Sequence, residues 1–152
     1  MNIARCLKLK NRLTQKISKF QRDIIESNSI PESSEREVNV EKLDELRSKT
    51  VKELIDLKLK IEEASRPIRE HILKIGELKS EIEFLKQISY ERGEVLIRRP
   101  YQTQEVAEKY TTILTKRNID DRIKKSEEEI DSLQEEIDNH NYTTEIEIEI
   151  LS

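Results

Sequence analysis

The sequence predicts a mainly α-helical fold: a long antiparallel helical bundle or coiled coil with a short β-hairpin and a C-terminal strand. Charged residues make up 39% of the 152-residue chain and aromatic residues 4%, with two glycines and three prolines. Apolar residues recur three and four positions apart along several long segments, which is the period of a helix. This composition and periodicity are typical of long helices packed side by side. We therefore expect a single elongated helical domain over residues 1–152.

The clearest predicted helix spans about 118–140, and its apolar residues form an a/d pattern. The apolar positions are Ile119, Ile123, Ile130, Leu133 and Ile137, with Ser126 at the one polar position of the series. Asn118 suits the N-cap, because its side-chain oxygen can accept from the N–H groups of the first turn. The opposite side of the helix is charged almost throughout, so the apolar stripe is narrow and its burial requires partner helices.

Three further helices are predicted at about 2–27, 40–64 and 72–91. Each segment repeats its apolar residues at helical spacing. A polar, proline-containing loop over 28–38 separates the first two helices. Pro67 disfavours helical dihedral angles at the residue before it and ends the second helix, so a short connector precedes the third.

Three short segments have the composition of β-strands, at about 94–99, 109–115 and 145–150. The first two would form a hairpin, and a helical turn within 103–114 is the alternative. The apolar positions of that turn would be Val106, Tyr110 and Ile113. The third segment alternates glutamate and isoleucine strictly, which favours a strand. It must pair with its own hairpin or a neighbouring subunit, or else fray.

Charge is distributed unevenly along the chain, whose net charge is −4. Seven basic residues of the first helix precede its first acid, Asp23, whereas residues 119–152 contain twelve acids and three bases. Charges beside an apolar stripe select partner and orientation more than they stabilise. We therefore predict that the first helix lies along the fourth, within one chain or between chains. The predicted interface is Lys8, Arg12, Lys16, Lys19, Phe20, Ile119, Ile123, Ile130, Leu133 and Ile137.

Sequence motifs for catalysis or cofactor binding are missing, so we predict a protein that is not an enzyme, with no catalytic, cofactor or metal residues. Gly76 and Gly93 are the only glycines, and they form no phosphate-binding loop. His71 and His140 are expected at the surface or at helix ends, with a weak metal site completed by a second subunit as the alternative. Cys6, the only cysteine, is expected to be a small buried hydrophobe in a protein of the reducing cytoplasm. The acidic net charge and the lack of interleaved aromatic residues argue against nucleic acid as a partner.

The two ends of the chain resemble a known family. The opening Met1-Asn2-Ile3-Ala4-Arg5-Cys6-Leu7 with Asn11-Arg12-Leu13, and the closing Glu136-Ile137-Asp138-Asn139-His140-Asn141-Tyr142-Thr143-Thr144, are similar to the ends of septicolysin, a small family of bacterial helical proteins. The connector Ala64-Ser65-Arg66-Pro67 departs from that family, which has a hairpin rich in asparagine and threonine there. The resemblance implies a helical homo-oligomer, with a hexamer as its implied stoichiometry, and the family name implies pore formation.

Three functional hypotheses follow from the sequence. The first is a cytoplasmic, non-catalytic protein that self-assembles and acts as a scaffold or protein-interaction module, its protein partner unknown. The alternative is a membrane-active, cytolysin-like protein that uses the basic amphipathic first helix as its binding surface. A third, an enzyme with a site shared between subunits, would need carboxylates to converge on His140.

Overall fold

The computed structural model describes residues 1–100 and 103–149, and these are mainly helical with one small antiparallel sheet. The mainly α-helical class and the β-hairpin predicted from the sequence are therefore confirmed. The elements in chain order are α1 (Ile3–Ser27), α2 (Val40–Ala64), a 3₁₀ turn (Arg66–Ile68), α3 (Arg69–Gln87), β1 (Gly93–Ile97), β2 (Val106–Tyr110) and α4 (Lys116–Thr143).

The first two helices agree with the prediction, whereas the bounds of the other two differ from it. α3 begins at Arg69 rather than 72 and ends at Gln87 rather than 91, and α4 extends beyond 118–140 at both ends. The connector is short because Pro67 lies inside the 3₁₀ turn, where the N–H that proline lacks would have no partner in any case. Proline therefore interrupts the helical pattern for only one turn.

The chain divides into two compact units, Met1–Arg69 with Ile137–Ser152, and Glu70–Glu136. In the first unit α1 packs against α2. The start of α1 lies against the end of α2, because Ile3 and Cys6 share a buried cluster with Leu57 and Ile61. The two helices are therefore antiparallel, and this cluster is the centre of the first unit.

Side chains of the α1–α2 connection hold the helix ends in the first unit. Asn39 caps α2 as its sequence position suggests, since its Oδ1 accepts from the Lys42 N–H at 3.1 Å. The Arg36 guanidinium donates to the carbonyls of Ser27 at 2.7 Å and Asn28 at 3.2 Å. These carbonyls belong to the last turn of α1, which has no intrahelical donors for them. The polar loop thus satisfies the end of one helix and the start of the next.

The predicted C-terminal strand is present only as an extended segment with a single bridge, so the strand prediction for 145–150 is wrong over its described part. Asn2 and Glu145 form an isolated antiparallel bridge, and the Ile146 N–H donates to the Met1 carbonyl at 2.8 Å. The partner is the start of the same chain, rather than the hairpin or another subunit. Because α1 begins at residue 3, the backbone that follows Asn2 is helical and does not continue the pairing, so the described contact is a single bridge.

The second unit contains the β-hairpin. Cα pairing runs from Gly93 opposite Tyr110 to Ile97 opposite Val106, so β1 overlaps the strand predicted at 94–99 but begins one residue earlier and ends at Ile97. The second strand was predicted at 109–115 and this is wrong, because β2 ends at Tyr110 and the chain then turns towards α4. The alternative helical turn in this region is also wrong, since its first apolar positions belong to β2.

The start of α4 explains why the second strand ends early. The Thr115 N–H donates to the Asn118 side-chain oxygen at 3.1 Å, and the Asn118 N–H donates back to the Thr115 hydroxyl at 3.2 Å. This reciprocal pair has the geometry of a capping box, with Thr115 as the N-cap. The prediction that Asn118 is the N-cap is therefore wrong, because Asn118 occupies the third helical position and binds back to the cap.

α3 and α4 are antiparallel within the second unit. Arg122 of α4 pairs with Glu81 of α3 at 2.5 Å, and His71 near the start of α3 is hydrogen-bonded to Glu136. The apolar residues of α4 are unequally covered. Ile119 is buried, as is Ser126, whereas the other large apolar positions in this unit are half-buried. A narrow stripe on one helix is thus only partly covered.

Candidate interaction surfaces

A row of four bases runs along the solvent side of α1, and we call Lys8, Arg12, Lys16 and Lys19 the basic row. Their spacing of four, four and three residues places them on one side of the helix. All four are exposed, and none of them makes an ion pair with another described residue. The apolar side of α1 is occupied by its packing on α2, where Ile17 is buried. The basic row is therefore an exposed and electrostatically uncompensated surface.

Phe20 borders the basic row and is half-buried. The Lys16 ammonium lies 5.8 Å from the centroid of its ring, within the range of a cation–π contact. The ring is thus engaged by its own helix. It is a single, half-buried ring, whereas stacking on nucleic-acid bases favours several exposed aromatic side chains.

A matching row of acids runs along α4, and we call Glu127, Asp131, Glu135 and Asp138 the acidic row. Its members are also exposed and spaced four, four and three residues apart. The first three make no ion pair with any residue that the structure describes, although other acids of α4 are paired along the helix. Two helices thus present exposed charges of opposite sign with the same spacing.

Exposed apolar side chains form a patch on α2 and occur three turns apart on α3. On α2, Ile55 is 54% exposed and Leu59, one turn later, is 65% exposed. On α3, Leu73 is 64% exposed and Phe84 is 54% exposed. These side chains lie outside the helix faces that are buried in their own units. Large apolar groups on neighbouring turns of a helix are typical of surfaces that bind a partner.

Met1 lies against the segment after α4 in the first unit, beside a cleft. The Met1 ammonium lies 2.8 Å from the Glu145 carboxylate, and beneath it Cys6 is fully buried. Burial raises the pKa of the Cys6 thiol, a shift that the nearby amino terminus opposes. A thiol that is kept protonated and out of solvent is not a nucleophile. Cys6 thus packs as the small hydrophobe predicted from the sequence.

The cleft has a volume of about 190 Å³ and lies between α1, α2 and the C-terminal segment. Its lining is Leu9, Leu13, Leu57 and Ile148, with Glu53, Asp56, Lys60 and Glu149 around them. Lys60 is paired with Asp56 at 3.2 Å. The lining therefore combines apolar and charged side chains.

The two histidines make separate hydrogen bonds and do not share a site. One bonds to the end of a helix, and the other bonds to a carboxylate. His140 Nε2 donates to the carbonyl of Ala64, the last residue of α2, at 2.8 Å, and the Thr144 hydroxyl lies 3.3 Å from Nδ1. His71 uses its Nε2 for Glu136, while its buried Nδ1 has no hydrogen-bond partner among the described residues. Within residues 1–100 and 103–149, no three His, Cys, Asp or Glu side chains are grouped closely enough to bind a metal ion.

The predicted interface residues are divided between exposed and buried positions. The four bases are exposed, Ile119 and Ile137 are buried, and the remaining predicted residues are half-buried. Pairing of the first helix with the fourth stays a prediction.

The sequence analysis did not identify Ile55 and Leu59 as surface residues. The signal was present, because both fall outside the stripe of α2 that contains Leu54 and Leu57.

In the described part of the chain, no helix combines the length and the apolar character that crossing a membrane requires. Comparison of the chain with protein-family models, curated proteins and solved structures found no match. The resemblance to septicolysin therefore stays a prediction from the sequence.

Proposed function

We propose that this protein is a non-catalytic helical protein that self-assembles in the manner of a helical bundle or coiled coil, and that it acts as a scaffold or protein-interaction module in the cytoplasm. The observation that supports this most is the exposure of Ile55 and Leu59 on neighbouring turns of α2. The second pair of exposed apolar residues, Leu73 and Phe84 on α3, supports the same proposal.

The energetic argument rests on burial. Covering a large aliphatic side chain contributes ~1.5–3 kcal/mol relative to leaving it exposed. In a symmetric contact between two copies, the same apolar residues are buried from each copy. The patch of Ile55 and Leu59, contributed by both copies, would thus form an apolar core for a contact that charged residues surround.

The mass in solution tests the proposal. Sedimentation velocity should give a multiple of the 18.0 kDa chain mass, and six chains would agree with the stoichiometry that the septicolysin resemblance implies. The double variant I55K/L59K should weaken association, because it places two ammonium groups in the contact. Ile25→Lys and Ile113→Lys serve as controls, since both residues are exposed but isolated. A wild-type protein that stays monomeric at high micromolar concentration would contradict the proposal.

The alternative, a membrane-active protein, depends on helix α1. Its basic row would attract anionic lipids, but Ile3, Leu7 and Leu13 of α1 pack in or against the cluster with α2 and the C-terminal segment, whereas Ile25 near the helix end is exposed. Insertion would require α1 to leave that packing, since membrane binding of an amphipathic helix depends on its apolar face. We expect no dye release from vesicles containing anionic lipids. Release that disappears in K8E/R12E/K16E/K19E would favour the membrane-active function instead.

A further inference from the structure

We infer that the basic row on α1 of one copy docks against the acidic row on α4 of a second copy. This inference rests on the proposed self-assembly and names the surfaces that would select the partner. The rows have opposite charge, all eight side chains are exposed, and each row lies on a continuous helix.

The spacing of the rows makes them complementary along their length. Each row spans eleven residue steps, from Lys8 to Lys19 and from Glu127 to Asp138. At a rise of 1.5 Å per residue this is about 17 Å in both helices. With the helices antiparallel, Lys8 faces Asp138 and Lys19 faces Glu127. The two inner pairs are then offset by only about 1.5 Å along the axis, well within the reach of these side chains.

The composition of the basic row favours a protein helix over other anionic partners. Single-stranded nucleic acid favours aromatic side chains interleaved with bases, and Phe20, the one aromatic residue beside the row, already lies under Lys16. A bilayer favours exposed apolar residues on the same face, and the row contains none. The chain itself supplies an acidic helix with the matching spacing, whereas its net charge of −4 disfavours non-specific attraction to polyanions.

Exposed ion pairs add little affinity each, so the rows determine which helices meet and in which direction. Association should therefore be faster and tighter at 50 mM salt than at 500 mM, because salt screens exposed charges. The apolar patches would supply the part of the affinity that is insensitive to salt.

A charge swap between separate chains tests the inference. K8E/R12E/K16E/K19E reverses the basic row, and E127K/D131K/E135K/D138K reverses the acidic row. In sedimentation equilibrium, each variant alone should self-associate at least ~tenfold more weakly than wild type, since like charges then face each other. An equimolar mixture of the two should recover association, because each reversed row meets a complementary row on the other chain. Pairing within one chain could not produce this recovery.

The matched control is K42E/K49E/R92E/R98E, which makes the same change in net charge on exposed positions outside both rows and more than one helical turn from Ile55 and Leu59 along the chain. It should associate as wild type does. Circular dichroism should show that all variants keep their helical content, as expected for exposed positions. If a reversed variant unfolds, the neutral set K8Q/R12Q/K16Q/K19Q replaces it and should weaken association by a smaller factor.

The outcomes separate the inference from the proposed function. A monomeric wild-type protein would overturn both. An oligomeric wild-type protein whose reversed variants associate normally, or whose mixture does not recover, would overturn the row pairing and leave self-assembly standing. Binding of duplex RNA or anionic vesicles that depends on the basic row, with self-association unchanged, would also overturn the pairing and assign the row to that partner.

Discussion

The β-hairpin and the C-terminal segment have similar β-favouring sequences, yet they are stabilised in different ways. β1 and β2 form a regular antiparallel ladder, but Leu96 is 66% exposed and Val106 is 46% exposed. The segment after α4 forms only one bridge, but Ile146 is 6% exposed. The hairpin thus has hydrogen bonds without a core, and the C-terminal segment has a core without a ladder.

This difference shows that an alternating pattern predicts an extended backbone, but does not by itself predict that the backbone is paired in a ladder. Alternation places successive side chains on opposite sides of an extended chain, whether or not the backbone is paired. The segment keeps that alternation, since Ile146 and Ile148 pack against the α1–α2 cluster while Glu145, Glu147 and Glu149 are exposed. The formation of a ladder depends instead on the length of extended chain that a partner offers. Here the backbone that follows Asn2 is helical, and the described pairing is a single bridge.

The largest expected effect is the loss of Ile146, which fills the buried cluster of the first unit. Ile146→Ala should destabilise that unit by about 3 kcal/mol, the usual cost of truncating a buried aliphatic side chain. Cys6 lies in the same cluster and is the only thiol of the chain. Its alkylation rate therefore measures how often the buried cluster of the first unit opens to solvent. Where alkylation follows the opening equilibrium, the variant should react roughly a hundredfold faster at constant pH.

The matched substitution in the hairpin is Leu96→Ala, which removes an equally large side chain from an exposed position. It should change stability by less than about 0.5 kcal/mol and leave the alkylation rate of Cys6 unchanged. Equal destabilisation by both substitutions would contradict the contrast, because it would mean that the hairpin residue is also part of a core.

A smaller effect is expected at Thr115, which joins the hairpin segment to α4. Thr115→Ala removes the side-chain acceptor of the first turn and should destabilise the second unit by about 1 kcal/mol. Asn118→Ala, which keeps the threonine cap, should cost less. Urea unfolding followed by circular dichroism measures both. A larger loss at Asn118 would instead support the N-cap that its sequence position suggested.

Thr115 and Pro67 show how far the sequence predicts this fold. Helical periodicity located all four helices, because most of their apolar residues face a neighbouring element. Their ends were less predictable, since the cap at Thr115 depends on a pair of reciprocal hydrogen bonds and Pro67 is absorbed by one 3₁₀ turn. The pairing of Glu145 with Asn2 was also beyond sequence reasoning, because no local pattern links residues so far apart along the chain.

The candidate surfaces also differ in how well the sequence predicts them. The exposure of the basic row follows from helical geometry, because residues opposite an apolar stripe face solvent. The exposure of Ile55 and Leu59 depends on which face of α2 its neighbours cover, and the position of both residues outside the stripe is the one indication of it in the sequence. The sequence thus predicts the charged surfaces better than the apolar ones. An isoleucine or leucine is equally compatible with either side of a contact.

The smallest expected effect concerns the cross-strand pair of Glu94 and Lys109 in the hairpin. Lys109→Glu places like charges opposite each other, which should cost about 0.5 kcal/mol. The loss should be confined to the hairpin, so amide hydrogen exchange should accelerate in β1 and β2 and stay unchanged in α1. The double variant E94K/K109E restores an opposite-charge pair and should recover the wild-type rates. If the single variant instead speeds exchange throughout α3 and α4, the hairpin is coupled to the helices of its unit more closely than its exposed side chains indicate.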